Sequence, residues 1–248
     1  MPLYLNNEQA ITFLHIPKTA GTTIESWLNE TGKYQQILFS QKKLEDMLVT
    51  PQHLGYHTLT ELTKTLNRPF NYKFAVVRNP FDRIVSEFFY RIKLGSIQLG
   101  QNAGSLFSPW VVHNLKKYKN TPEILDNHLR PQSYFVDNDV EVFKFEDGIQ
   151  SILDRVSNRI GILGDLKVEP KKVGDKKEVQ WSQTAIDMVL ESYEQDFEQF
   201  NYSSDISSLK VDSSKFRMKL YDIKYNSKIF KKELKRAVKS QIYPYSSK

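Results

Sequence analysis

The sequence predicts a single α/β domain of three layers, with a central parallel sheet flanked by helices, and three observations predict it. Two short runs, ITFLHIP and YKFAVVR, are apolar on both faces, as strands buried inside a sheet are. Each runs directly into a helical pattern, and strands alternating with helices are the grammar of a parallel sheet. The chain has 248 residues, 40% of them apolar, which is enough for one large core and does not require two.

The first strand stops at Pro17, and the stretch that follows it is unusual. His15 to Ile24 reads HIPKTAGTTI, so Lys18, Thr19, Ala20, Gly21, Thr22 and Thr23 lead into a helix with Ile24, Trp27 and Leu28 on one face. A small-residue turn at a helix N-terminus presents unpaired N–H groups and the positive end of the helix dipole, which suits a phosphate or a similar anion. The alternative is an ordinary turn closed by a threonine cap. It is not a Walker A motif: G-x-x-x-x-G-K-[ST] places Lys after the second Gly, whereas Lys18 precedes Gly21.

Helices are expected next over 41–49 and 58–67, and then comes the second strand. It ends VVRNPFDRIVSEFFYR, in which Asn79 is a natural N-cap, Pro80 fits the first helical position and Asp82 completes a capping box. Phe81, Ile84, Val85, Phe88 and Phe89 form the buried stripe of a helix over 80–93. Arg78 is left at the carboxyl end of the strand, and Ser86 lies about 10 Å along the helix. Guanidinium and hydroxyl can therefore meet on one dianionic phosphate. Two anion sites at neighbouring strand ends suggest a nucleotide with phosphates at both ends. A third strand is expected at 140–145, with helices over 148–156 and 182–200.

Composition excludes several classes. There is no cysteine, hence no disulfide scaffold, thiolate metal site or cysteine nucleophile. No apolar run reaches the ~18 residues of a transmembrane helix, and MPLYLNNEQA lacks the order of a signal peptide, so a cytoplasmic protein is expected. His53 and His57 are spaced i, i+4, but no third ligand is evident, and no metal is expected. Residues 210–248 hold ten Lys and two Arg against three acids, a charge of +9, which leaves −3 for residues 1–209. The stretch SKIFKKELKRAVKSQI has the pattern of an amphipathic helix, expected to dock on the domain at 1–209. Its basic face would also suit an acidic polysaccharide, an acidic partner or an anionic membrane.

These residues carry a family resemblance. HIPKTAGTT resembles the 5′-phosphosulfate loop, and RNPFDRIVS the 3′-phosphate motif, of sulfotransferases that use 3′-phosphoadenosine 5′-phosphosulfate (PAPS). More narrowly, the chain is similar to the carbohydrate sulfotransferases that include the heparan sulfate 2-O- and chondroitin 4-O-enzymes and shorter bacterial relatives. GYHTLTEL, HLRPQSYF with FKFED, and YEQDFEQFNY follow in the same order, so the resemblance spans roughly residues 10–202.

The resemblance implies a P-loop-like fold, PAPS as co-substrate, no metal, no nucleic-acid partner, and a hydroxyl acceptor, most plausibly a carbohydrate. The N–H groups from Thr19 through Ala20, Gly21 and Thr22 to Thr23 would hold the 5′-phosphate, Lys18 would contact the bridging oxygen, and Arg78 and Ser86 would grip the 3′-phosphate. His57 occupies the position of the family's candidate base, His53 is its substitute, and a carboxylate base stays open. His15 is expected to order the loop, and His128 to order its own loop or touch the acceptor. His113 has no assigned role. The animal members carry a membrane anchor, whereas this chain begins almost at its first strand, which fits a bacterial-type cytosol. Residues 166–177 lack the Asn-and-Ser element expected ahead of the last helix, and they share acceptor choice with the loop over 95–109. The competing readings are a P-loop kinase and a non-catalytic binder of acidic glycans or nucleotides.

Overall fold

The computed structural model describes residues 2–65, 70–95, 103–162 and 178–242. Its sheet has five strands, β1 (Leu3–Leu5), β2 (Ala10–Leu14), β3 (Gln35–Ile37), β4 (Tyr72–Val77) and β5 (Glu141–Lys144), in the order β3-β1-β2-β4-β5. The helices are α1 (Gly21–Glu30), α2 (Tyr56–Thr65), α3 (Pro80–Lys93), α4 (Phe107–Asn120), α5 (Ile149–Ile160), α6 (Gln183–Ser192), α7 (Glu194–Gln199) and α8 (Lys215–Ile242).

The sheet is mixed rather than parallel throughout. Strands β2, β4 and β5 are parallel, but β1 runs antiparallel to both β2 and β3. The reason is local. Asn6 accepts from the N–H groups of Glu8 and Gln9 and donates its own to Gln9 O, closing a tight turn that only an antiparallel pair can use. The three residues of β1 and of β3 are too few to show a strand period in the sequence.

Both faces of the central strands are covered, as their continuous apolar runs require. Ile11, Phe13, Phe74 and Val76 face Ile24, Trp27 and Leu28 of α1 and Ile152, Leu153 and Val156 of α5. Leu14, Ala75 and Val77 face the other way, onto Leu59, Phe135 and Val140. A further core joins Phe81, Ile84 and Phe88 of α3 to Trp110 of α4 and Ile186 of α6, and Tyr225 of α8 is buried in it.

Two predicted helices differ. Residues 41–49 form turns, because Asp46 takes a left-handed conformation (φ 68°) that a helix does not admit. The helix predicted over 182–200 breaks at Tyr193 (φ −123°, ψ 20°) into α6 and α7, which turns the buried Asp196 toward residues 132 and 133. Residues 96–102 and 163–177, which include most of the segments assigned to acceptor choice, lie outside the described residues.

Candidate active site

The turn from β2 into α1 is held open. Ala20 is the N-cap of α1 in a left-handed conformation (φ 72°, ψ 20°) and makes no side-chain cap. Lys18 is left-handed too (φ 72°), and such backbone in non-glycine residues costs on the order of 1 kcal/mol each. The buried Thr19 hydroxyl donates backwards to Ile16 O (2.9 Å), so the threonine cap of the alternative reading is not made. Among the described residues the N–H groups of Lys18, Thr19, Ala20, Gly21 and Thr22 find no acceptor, and the chain first bonds back on itself at Thr23 N, to Ala20 O (2.9 Å). Thr22 is exposed and Thr23 half-buried. Gly21 has no room for a side chain, since a Cβ there would fall into the His15 ring.

The turn from β4 into α3 is closed. Asn79 Oδ1 accepts from Phe81 N (2.9 Å) and Pro80 is the first helical residue, as the sequence predicts. The capping box is replaced: Asn79 N donates to Glu146 Oε1 (2.8 Å) rather than to Asp82. Gln132 clamps Arg78 through both backbone groups, accepting from Arg78 N (2.8 Å) and donating to Arg78 O (2.9 Å). Asp196, fully buried, accepts from the N–H groups of Gln132 and Ser133 (2.8 Å each) and so holds the clamp. The HLRPQSYF and YEQDFEQFNY motifs thus meet on the strand end that carries Arg78.

Each turn presents a cation. Lys18 Nζ stands 3.9 Å over the Tyr90 ring, in a cation–π contact. Glu87, the nearest acid in effect, binds Arg91 through one oxygen and His128 Nδ1 through the other (2.6 Å). The Arg78 guanidinium lies 4.5 Å from the Phe145 ring centroid, and its Nε is buried without a partner. Glu146 gives its oxygens to Asn79 N and to the Tyr202 hydroxyl (2.9 Å). Among the described residues neither cation has an ion pair. Burial, with Arg78, Arg91 and Lys93 adding to it, pulls the Lys18 ammonium below the ordinary lysine range. Lys18 thus stands within the field of Arg78. Ser86 is half-buried on α3.

Behind the first turn stands a row of histidines. The His53 ring packs edge-on against His15 (5.1 Å between centroids) and against His128 (4.7 Å), and Tyr90 stacks on His128 (5.7 Å, planes 7° apart). Each Nδ1 meets a carboxylate: His15 on Glu25 (2.6 Å), His53 on Asp126 (2.7 Å) and His128 on Glu87 (2.6 Å). Burial drives His53 down to about 3, despite Asp126, and lowers His128 as well, so both are neutral at pH 7. Asp126 is held below the ordinary carboxylate range: burial opposes this, but the bonds from His53 and from Thr50 N and Oγ1 prevail. An ionised carboxylate can only accept, so His53 carries its hydrogen on Nδ1 and its lone pair on Nε2.

Strained backbone positions Asp126. Leu125, Asp126 and Asn127 are all left-handed (φ 56°, 63° and 61°). Their segment is held by Asn127 Nδ2 donating to His53 O, Arg91 to Leu125 O, and Arg83 to His128 O and Arg130 O. His53, Asp126 and His128 each offer a potential metal-ligand atom within 4.8 Å of one another. His57 is exposed at the start of α2, its ring against Tyr56 (5.8 Å), apart from this row. A separate cleft, lined by Gln9, Asn71, Tyr72, Lys73 and Glu141, lies at the opposite, amino edge of the strands.

The model of one protein family, the sulfotransferase family, matches residues 2–203. The chain belongs to the sulfotransferase family. No curated protein and no solved structure matches it. The open turn, the closed turn and the histidine row all fall inside the matched span of this sulfotransferase, whereas α8 falls outside it. Sequence reasoning missed Glu87, Tyr90 and Asp126 in this site. Glu87 and Arg91 follow Arg83 at four-residue spacing, the signal of a second, polar face on α3.

Proposed function

We propose that this sulfotransferase moves the sulfuryl group of PAPS to a hydroxyl of a carbohydrate at the carboxyl ends of β2 and β4. The observation that carries the reading is the pair Lys18 and Arg78: two cations that follow neighbouring parallel strands, neither of them in an ion pair among the described residues. A donor with phosphate on both its 5′ and 3′ sides satisfies both. The open N–H groups from Thr19 to Thr22 take the 5′-phosphate, whereas the Thr23 N–H expected to join them is spent on Ala20 O, and Arg78 with Ser86 takes the 3′-phosphate. The acceptor oxygen forms its bond to sulfur as the bond to the bridging oxygen breaks. The electron pair leaves on the phosphate, where Lys18 meets the growing charge.

The acceptor's proton goes to a base. The resemblance of GYHTLTEL puts forward His57, which is exposed. His53 is the second reading: Asp126, itself in a run of three left-handed residues, sets its lone pair on Nε2, although burial, which keeps the ring neutral down to about 3, makes it the weaker base.

Thermal melting with adenosine 3′,5′-bisphosphate and with ATP tests the donor site. The bisphosphate should raise Tm well above the ATP value at equal concentration. Equal shifts would remove the 3′-phosphate assignment. Turnover of labelled PAPS against a panel of sugar, lipid and small-alcohol acceptors then tests the reaction, with His57→Ala and His53→Ala separating the two bases.

A further inference from the structure

Helix α8 has two apolar faces, and the domain covers one of them. Tyr221, Tyr225 and Ile229, four residues apart, pack on the core beside α4, with the His113 ring edge-on to Tyr225 (5.5 Å). On the opposite side Phe216, Leu220, Ile223 and Phe230 are 73, 47, 58 and 64% exposed. With Ser227 between them they recur at alternating spacings of four and three residues, one straight stripe about 21 Å long. Lys219 flanks it on one side, Lys224 and Lys231 on the other, and all three are exposed.

Charge decides what covers this stripe. A second copy of the helix would seat the same seam, but a parallel pair sets Lys219 of one helix against Lys224 of the other. An antiparallel pair sets Lys224 and Lys231 against their own counterparts. Both arrangements place cations against cations, within a segment that carries +9. A soluble polysaccharide matches the lysines but offers nothing apolar to two phenylalanines, a leucine and an isoleucine. The stripe is convex, on a helix anchored by its other face, so it presents no groove for a partner's side chains. An anionic bilayer answers both features, since the apolar side chains enter the boundary of the acyl chains while flanking lysines reach back to the headgroups. No helix among the described residues is long and apolar enough to cross a membrane, so the contact is one of lying on the surface. We propose that α8 docks this protein on an anionic lipid surface through Phe216, Leu220, Ile223 and Phe230, with Lys219, Lys224 and Lys231 on the headgroups.

Co-sedimentation of the whole chain with vesicles tests this. Vesicles of phosphatidylcholine and phosphatidylglycerol should bind it roughly tenfold or more above phosphatidylcholine alone, and added salt should weaken the binding. The double variant Leu220→Ser, Phe230→Ser should lose roughly tenfold of that binding while its Tm and its affinity for adenosine 3′,5′-bisphosphate stay at parent values, because both side chains face solvent. Three results would overturn the proposal: no preference for anionic vesicles, equal vesicle binding by the double variant, or a dimer in sedimentation that the double variant dissociates while vesicles bind neither protein. Capture by soluble polyglutamate without vesicle binding would assign the face to an acidic polypeptide instead. None of these outcomes depends on the donor site, so they leave its assignment separately testable.

Discussion

The two turns that follow β2 and β4 begin alike, each a parallel strand ending in a helix, and they are finished in opposite ways. The first has an alanine cap, two left-handed residues and a row of free N–H groups. The second has an asparagine cap, a proline at the first helical position, and a glutamine that fixes the backbone on either side of Arg78. A helix end lacking its cap forgoes ~1 kcal/mol, a loss that binding of an anion at the open turn would offset. On the proposed function the difference follows from what each turn would offer: the first would bind through its own backbone, which it leaves unpaired, whereas the second would bind through a side chain on a backbone held still.

The largest break in this comparison is at Lys18. Its contact should strengthen as the bridging oxygen gains charge, so Lys18→Ala should lower kcat by about 10²-fold or more with a smaller change in KM for PAPS. Steady-state kinetics at saturating acceptor measures both. A change confined to KM would make the lysine a ground-state binding group like Arg78, and the two turns would then be equivalent.

Arg78 should behave differently. Arg78→Ala removes a charge-assisted contact to a dianion, so the affinity for adenosine 3′,5′-bisphosphate should fall by about 2 kcal/mol while the affinity for a ligand lacking the 3′-phosphate barely changes. Calorimetric titration of both ligands checks this. Equal losses for the two would mean that Arg78 acts on the whole pocket through its clamp with Gln132.

Acid should weaken the fold through His53, in the row behind the first turn. Unfolded, His53 takes up a proton near pH ~6.5, whereas in the folded protein it stays neutral until about 3. Between those values the unfolded state binds more protons, so the stabilisation present above pH ~6.5 is lost as the pH falls toward 3. From pH 7 to pH 5 one such group accounts for up to about 2 kcal/mol. Urea unfolding at the two pH values should show the loss, and His53→Gln should flatten it. An unchanged slope in the variant would place the sensitivity in His128, which burial also lowers.

Much of this was legible in the residues themselves. The continuous apolar runs of β2 and β4, the Asn79-Pro80 start and the stripe from Phe81 to Phe88 are local signals, and the structure reproduces them. Two kinds of feature were not legible. The antiparallel β1 and β3 have three residues each, too few for a period. The meeting of His53 with Asp126 spans 73 positions, and no pattern around either residue announces the left-handed turn that joins them. The motifs HLRPQSYF and YEQDFEQFNY were visible as strings, yet their work in holding Gln132 on Arg78 depends on long-range contacts.

The smallest effects make the sharpest contrast, because the two caps should respond with opposite sign. Asn79→Ala removes the acceptor for Phe81 N at the closed turn, and the loss of such a cap costs about 1 kcal/mol of stability. Ala20→Gly removes no cap, since Ala20 makes none, and it relieves a left-handed conformation that costs alanine about 1 kcal/mol more than glycine. Part of that gain is offset by the greater freedom of glycine in the unfolded chain, which leaves an expected increase of about 0.5 kcal/mol. Chemical denaturation of the two variants beside the parent measures both. If Ala20→Gly is instead destabilising, the strain at the open turn is not relieved by removing the Cβ, and the argument that stability is given up there for anion binding fails. If it stabilises the free protein, nucleotide affinity provides the second half of the test. Glycine keeps the left-handed shape without its strain, so the bisphosphate affinity should stay at the parent value, and a weaker affinity would mean that the turn has left the geometry that binds, whereas the same measurement on Asn79→Ala should change only as far as Arg78 is displaced.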